Sequence, residues 1–379
     1  MSAEMSERWD MIRSAAREFA EREIKPFARE HDERGEFPWP VMKKIAEVGY
    51  LGALIPEEYG GSGLDAVSYL IIIEEISKVC ASTGVITSVH NSLVAGPIMK
   101  YGTEVQKRKY LPQLAKGERI GAFAATEPEA GSDLGALKTT AEKKGDVYVL
   151  NGQKTFITSG KDAGLIVVFA KTDPEAGHRG ISAFLVESPR EGLEVGNVFN
   201  KMGINANVVT ELYFKDVEVP AENLLGEEGQ GFKIALSSLD GGRLGIAAQS
   251  IGIAQAALQE SINYSKQRQQ FGQPIAKFQA IQWMIADMAT RIEAARRLLY
   301  HAAEKKDRGE RFTVEAAMAK MFASDTAMFA ADRAVQIHGG YGYIKDYTVE
   351  RLFRDARITQ IYEGTNEVMR LVISGALLR

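Results

Sequence analysis

The chain has 379 residues, 45% of them apolar and 25% charged, with a formal net charge of −4 spread without blocks. That length asks for two or three domains, and that charge gives no footprint for nucleic acid or an anionic membrane surface. No apolar run approaches the roughly 18 residues that span a bilayer, and a single cysteine, Cys80, excludes an intrachain disulfide and a cysteine metal cluster.

The N-terminus, MSAEMSERWD, carries no signal-type apolar stretch and is too acidic for a transit peptide. A bacterial-type cytoplasmic enzyme fits, as does an organelle-matrix protein already trimmed. Trp9, Ile12, Ala16, Phe19 and Ile24 share one helical face after a candidate cap at Ser6. After the glycine-rich turn EYGGSG, Val67, Leu70, Ile71, Ile73 and Ile76 predict a second buried helix. The pattern then changes. DVYVLNGQKTFIT reads as two short strands around Asn151-Gly152, the strongest short-range hairpin signal. LIVVFA (165–170), ISAFLV (181–186) and VVTELYF (208–214) continue the β pattern between turns that contain Pro174, Gly177, Gly180 and Pro189. Ten of the eleven prolines lie at or before Pro220, so the remainder is free to form long helices. Phe278, Ile281, Ile285, Met288, Ile292, Ala295 and Leu299 recur in steps of three and four, the stripe of a helix bundle. The division is α, then β, then α, with expected boundaries 1–119, 120–226 and 227–379.

Several chemistries are excluded. His31, His90, His178, His301 and His338 are scattered, with no i, i+4 pair for a helical zinc site. There is no G-x-S-x-G elbow and no Walker A sequence. The nearest dinucleotide-type pattern, GQGFKI at 229–234, lacks a third glycine and a βαβ frame.

Six stretches together are informative: FAATEPEAGSDLGALKTTA (123–141), NGQKTFITSG (151–160), LDGGRLGIAAQSIGIAQ (239–255), RQQFGQPIAKFQ (268–279), QIHGGYGY (336–343) and RDARITQIYEGTNE (354–367). In this order the chain resembles an acyl-CoA dehydrogenase along its whole length, nearest the short-chain, butyryl-type and branched short-chain members. The resemblance implies an α+β multidomain fold: an N-terminal helical domain, a middle β-barrel-like domain and a C-terminal four-helix bundle. It implies non-covalent FAD, a homotetramer, and electrons passed to an electron-transfer flavoprotein. The implied reaction is α,β-dehydrogenation of an acyl-CoA to the trans-2-enoyl-CoA.

Glu363, in the run QIYEGTNE, matches the family's usual base position. So weakly acidic a proton needs a positioned base of raised pKa, which a dry pocket supplies. A helix starting near Thr365 opposes that rise, since a helix N-terminus stabilises negative charge. Out of context Glu363 reads instead as a carboxylate capping a C-terminal helix. The position that carries the base in some other members is Gly242 here, and Asp240 lies two residues away.

The resemblance assigns Phe123, Ala125, Thr126 and Ser132 to the flavin and its pyrophosphate, with Phe156 and Thr158 on one face of a strand beside the ring. Arg268, Phe271, Gln279, Gln336, Gly339 and Gly340 correspond to the part that meets a neighbouring subunit's cofactor, and Thr365 and Glu367 to further FAD contacts. Ser132, Asp240, Arg243 and Gly364 correspond to acyl-CoA positions. One departure is Asn205 in NKMGINANVV, where short-chain relatives commonly carry arginine. The segment resembling the acyl lining, ASTGVITSVHNSL (81–93), holds no arginine or lysine, and only His90 could meet a distal carboxylate. An uncharged short acyl chain, straight or branched, is therefore expected. Two rival readings share the fold: an acyl-CoA oxidase, whose chains are usually much longer, and an alkylation-response flavoprotein, which would want a basic C-terminal addition.

Overall fold

The computed structural model describes residues 3–378. Among these, seven α-helices precede the first strand: α1 (Ala3–Phe19), α2 (Lys25–Arg34), α3 (Trp39–Glu47), α4 (Ala66–Val79), α5 (Ala81–Val89), α6 (Gly96–Tyr101) and α7 (Glu104–Ala115). Helix α1 begins before Ser6, which lies inside it rather than capping it. Helix α4 does have a side-chain cap, the Asp65 carboxylate accepting from the Ser68 amide at 2.8 Å. Its apolar residues are buried all round because α1 covers one side and the bundle the other.

The middle of the chain forms β1 (Gly121–Ala124), β2 (Thr140–Lys144), β3 (Val147–Thr158), β4 (Leu165–Lys171), β5 (Ile181–Glu187), β6 (Leu193–Val198), β7 (Val209–Pro220) and β8 (Leu224–Leu225). The sheet order is β6-β7-β3-β2-β4-β5-β8, with β1 parallel on β4. This corrects the β-barrel-like expectation. Closure requires the two edge strands to pair, and here β6 and β8 stay apart, leaving an open mixed sheet.

The Asn151-Gly152 hairpin is also corrected. Strand β3 runs straight through these residues, and the turn before it lies at Gly145, with φ 61°. Asn151-Gly152 marks an irregularity in register against β7. An added Cβ at Gly152 would fall 2.4 Å from Thr139 Oγ1, so glycine serves a close approach. Asn151 exchanges hydrogen bonds of 2.9 Å with Asp216, which itself has φ 52°.

The C-terminal region has three long helices, α8 (Gly231–Gln267), α9 (Gln279–Asp307) and α10 (Thr313–His338), and two shorter ones, α11 (Val349–Ile358) and α12 (Asn366–Leu377). The expected stripe buries Met288, Ile292, Ala295 and Leu299 of α9, while Ile281 and Ile285 are half-buried. Between α8 and α9 a two-stranded hairpin, β9 (Gln269–Gln270) and β10 (Gln273–Pro274), accommodates the one late proline. Helix α8 approaches the N-terminal helices closely through glycine: an added Cβ would meet Ser88 Oγ at 2.0 Å from Gly245 and Ser77 Cβ at 2.8 Å from Gly252. No described helix is long and apolar enough to cross a membrane.

Candidate active site

Glu363 sits in the turn between α11 and α12, with φ 52°, followed by Gly364 with φ 95°. Two consecutive left-handed residues reverse the chain and send the Glu363 side chain inward. Thr365 caps α12, accepting from the Val368 amide at 3.3 Å. Glu363 lies outside the helix and caps nothing, which removes the capping alternative. Its residue surface is half-buried, yet both carboxylate oxygens are sealed and accept no hydrogen bond among the described residues. Burial pushes its pKa up to about 8, against the opposing charges of Lys320 and Arg243. Burial therefore outweighs both nearby cations.

Beneath the carboxylate lies Gly242 of α8. A Cβ there would come 1.9 Å from Glu363 Oε2 and 2.9 Å from Leu93 Cδ2. Leu93 belongs to a wide π-turn, His90–Ala95, that links α5 to α6. Arg243, almost wholly buried, donates to the Glu363 carbonyl at 3.4 Å and to Asp240 Oδ1 at 2.7 Å. Thr313 donates to the other Asp240 oxygen at 2.7 Å. Asp240 is thus held by two partners, whereas Glu363 has none. His90 is used up as well: its Nδ1 accepts from the Gly121 amide at 3.1 Å and Nε2 meets the Leu114 carbonyl at 3.0 Å. Burial pushes its pKa down to about 4, so it is neutral and supplies no cation to a distal carboxylate.

The residues assigned to the flavin fall into two groups. Phe123 ends half-buried in β1 against Phe169, with ring centroids 4.9 Å apart, and Ala125 and Thr126 follow that strand. The Thr126 carbonyl accepts from the Thr155 amide of β3 at 3.0 Å. Phe156 does not follow simple alternation: a register shift between Lys154 and Ile157, with φ 57° at Phe156, turns its ring outward to 63% exposure. Thr158 ends β3 half-buried, and Ser132 is exposed in the loop after Thr126. This group is tied together from behind. Lys154 Nζ bonds Glu127 Oε1 at 2.8 Å and the Ala125 carbonyl at 3.2 Å, and Glu127 accepts the amides of Lys138 and Thr139.

Of the second group, Arg268, Gly339 and Gly340 line a cavity of about 520 Å³ beside the end of α10, together with Tyr264, His338 and Tyr341, whereas Phe271, Gln279 and Gln336 lie outside its lining. Arg268 lies over the Tyr341 ring at 5.6 Å and has no carboxylate partner among the described residues. Added Cβ atoms at Gly339 and Gly340 would meet nothing within 4 Å. Phe271, at the tip of the β9–β10 hairpin, is 93% exposed with φ 52°. Gln279 and Gln336 are exposed at the start of α9 and near the end of α10, and Glu367 is exposed in the first turn of α12. A free guanidinium facing open glycine backbone fits a pyrophosphate, and an outward aromatic on a strand fits a flat ring system.

Three features escaped the sequence reading. Lys320 is fully buried on α10 close to the Glu363 turn. Its signal was available: it shares a helical face with Ala316, Ala317, Ala323 and Ala327, where a lysine is out of place. The Lys154–Glu127 pair lies within the two flavin motifs, one partner in each, with no periodic cue to its pairing. The third is the direct contact of Gly242 with the Glu363 carboxylate: the resemblance makes the two alternative base positions but does not press one against the other.

Family models describing the N-terminal, middle and C-terminal domains of acyl-CoA dehydrogenases match residues 6–118, 122–217 and 229–378. A short-chain-specific acyl-CoA dehydrogenase of Clostridium acetobutylicum is 52% identical over 379 residues, 100% of each chain. The structure of butyryl-CoA dehydrogenase from Megasphaera elsdenii superposes with a TM-score of 0.96 at 49% identity, covering 98% of each chain. A chain solved in work on the electron transferring flavoprotein of Acidaminococcus fermentans and flavin-based electron bifurcation superposes with a TM-score of 0.98 at 54% identity, covering 100% of both.

Proposed function

The chain belongs to the acyl-CoA dehydrogenase family, and on that premise we propose that it dehydrogenates short, uncharged acyl-CoA thioesters with Glu363 as the base. It is an FAD-dependent oxidoreductase of lipid metabolism, with an acyl-CoA substrate and an electron-transfer flavoprotein as partner. The observation that carries the Glu363 reading is the pair of buried, unpartnered carboxylate oxygens above Gly242. A carboxylate whose pKa burial lifts to about 8 is a stronger base than an ordinary glutamate, which suits it to taking a proton from a carbon acid. Asp240, the other carboxylate nearby, is held by Arg243 and Thr313 and is a poor competitor.

In this reading Glu363 takes the proton from the carbon next to the thioester, in a space Leu93 helps to keep dry. Arg243 steadies the base through its backbone carbonyl. The chemistry that bound FAD would supply is that of an acceptor for the hydride from the adjacent carbon. Phe123, Ala125, Thr126, Ser132, Phe156 and Thr158 would hold the ring side, and Thr365 and Glu367 would lie near it. Arg268, Phe271, Gln279, Gln336, Gly339 and Gly340 would serve the cofactor of a neighbouring copy in a homotetramer. The projecting Phe271 supports that exchange. Ser132, Asp240, Arg243 and Gly364 would border the acyl-CoA. The neutral His90 and the absence of lysine or arginine in 81–93 support an uncharged acyl tail. The names of the Clostridium and Megasphaera relatives support a short one. A cytoplasmic location belongs to the same proposal.

The test is an anaerobic titration of the purified, FAD-loaded protein with butyryl-CoA. Bleaching of the flavin band together with a long-wavelength charge-transfer band is expected. A flavin that ignores butyryl-CoA and its longer and branched analogues would sink the substrate assignment.

A further inference from the structure

The reaction as assigned leaves one buried cation without a task. Lys320 projects from α10 into the interior and is fully buried. An ammonium stripped of water must be met by protein oxygens, and two are present. Lys320 Nζ donates to the Gly364 carbonyl at 2.8 Å and to Asn366 Oδ1 at 3.0 Å. Asn366 is fastened to α10 besides, donating to Ser324 Oγ at 2.9 Å and Asp325 Oδ1 at 2.8 Å. Its amide closes the turn on the Gln360 carbonyl at 3.0 Å. These bonds bracket Glu363 and Gly364, the two left-handed residues, of which only the glycine is at ease there. The other cation at the turn, Arg243, reaches the Glu363 carbonyl only at 3.4 Å.

We propose that Lys320 is a positioning residue for the base: it fixes Gly364 and Asn366, and so holds the left-handed turn that aims the Glu363 carboxylate over Gly242. The proposal rests on Glu363 being the base. Around the Lys320 ammonium the charged groups are Glu363 and Glu367 on the turn and α12, Arg243 on α8 and Asp325 on α10. Its positive charge favours the ionised form of Glu363, as Arg243 does, while burial opposes both charges. Burial pulls the Lys320 pKa down and the Glu363 charge pulls it back up, so the lysine and the base titrate as a coupled pair.

The test compares wild type, Lys320→Met, Lys320→Arg and Glu363→Gln as full-length, FAD-loaded enzymes, by stopped-flow flavin reduction with butyryl-CoA across pH. For Lys320→Met the limiting rate is expected to fall about 10- to 100-fold, the cost of a small misplacement of a catalytic group. Half-saturation should change by less than about threefold, because no substrate contact is removed. The acid limb should move up by about one pH unit as the cation is lost. Hydrogen exchange in the peptide spanning 359–366 should quicken, and Lys320→Arg should restore most of the rate. Should Lys320→Met fail to fold, Lys320→Gln gives an uncharged donor for the same comparison. A rate and acid limb equal to wild type, with only the melting temperature lowered, would reduce Lys320 to a structural role. Glu363→Gln inert beside a normal Lys320→Met overturns the positioning role alone. A fully active Glu363→Gln overturns the assignment of the base, and the positioning role with it.

Discussion

Gly242 of α8 and Glu363 of the α11–α12 turn meet so closely that a methyl group on the glycine would lie 1.9 Å from the carboxylate Oε2. The contact explains why the bend at Glu363 and the bare backbone at Gly242 belong together. Gly242→Ala should therefore damage chemistry without damaging the fold. Alanine in a helix interior is favoured over glycine by about 1 kcal/mol, which offsets part of the local crowding. Displacing the carboxylate by about an ångström should slow flavin reduction by about 100-fold. The check is a melting curve beside a rate: a slow enzyme that melts near wild type is expected, and a normal rate would mean that the carboxylate points elsewhere during turnover.

Glu363 also makes a pH prediction. Its pKa is raised from an ordinary 4.5 to about 8, so the folded protein binds more protons than the unfolded chain between those values. The Glu363 contribution to stability is thus fully present below 4.5 and is lost as pH rises through about 8. Glu363→Gln, which cannot ionise, should gain stability relative to wild type across that window and remain level with it in acid. Its rate of flavin reduction should fall by about 100- to 10,000-fold, the usual worth of a general base. Denaturant melts at acid and alkaline pH check the first claim. A constant difference between the two proteins would contradict the buried carboxylic acid.

How far sequence reached can be seen residue by residue. Glu363 was legible because a run of specific motifs surrounds it, but its pKa was not, since burial and the N-terminus of α12 pull in opposite directions and only packing decides. The α, β, α succession was legible from proline distribution and periodicity. Whether the sheet closes was not, because closure depends on the distance between β6 and β8, a property of twist rather than of any local pattern. Asn151-Gly152 misled for a related reason: the pair permits a tight turn but equally permits an irregular strand pressed against Thr139. Asn205, the departure noted in sequence, lies beside Ile204, whose left-handed amide is held by the buried Asp355 at 2.5 Å. The local fold there rests on Asp355 rather than on the missing arginine.

The Lys154–Glu127 pair should be the costliest place to cut among the cofactor-side residues. Both side chains are buried, and Glu127 also accepts the Lys138 and Thr139 amides. Removing one partner leaves an uncompensated charge, typically about 3 to 5 kcal/mol. Lys154→Met or Glu127→Gln should each lower stability by about that amount and weaken flavin retention, because the segment carrying Ala125 and Thr126 loses its tie to β3. The double variant Lys154→Met/Glu127→Gln should recover part of the loss, since no lone charge remains. Urea melts of all four proteins in a double-mutant cycle test the coupling, and strictly additive losses would refute it.

Arg268 calls for the opposite expectation. Its guanidinium has no carboxylate partner among the described residues and faces a cavity with Gly339 and Gly340 on its wall. Among the described residues its charge meets only the Tyr341 ring, so Arg268→Ala should change the melting temperature of the flavin-free protein little. A charge-assisted hydrogen bond to a phosphate is worth about 1.5 to 3 kcal/mol, so FAD should bind about 10- to 100-fold more weakly. Since Arg268 serves a neighbouring copy in the proposed tetramer, flavin loss and subunit dissociation should appear together on gel filtration. Fluorescence titration with FAD gives the affinity. Wild-type affinity in a variant that still assembles would show that the pyrophosphate lies elsewhere, and the cavity beside α10 would need another occupant.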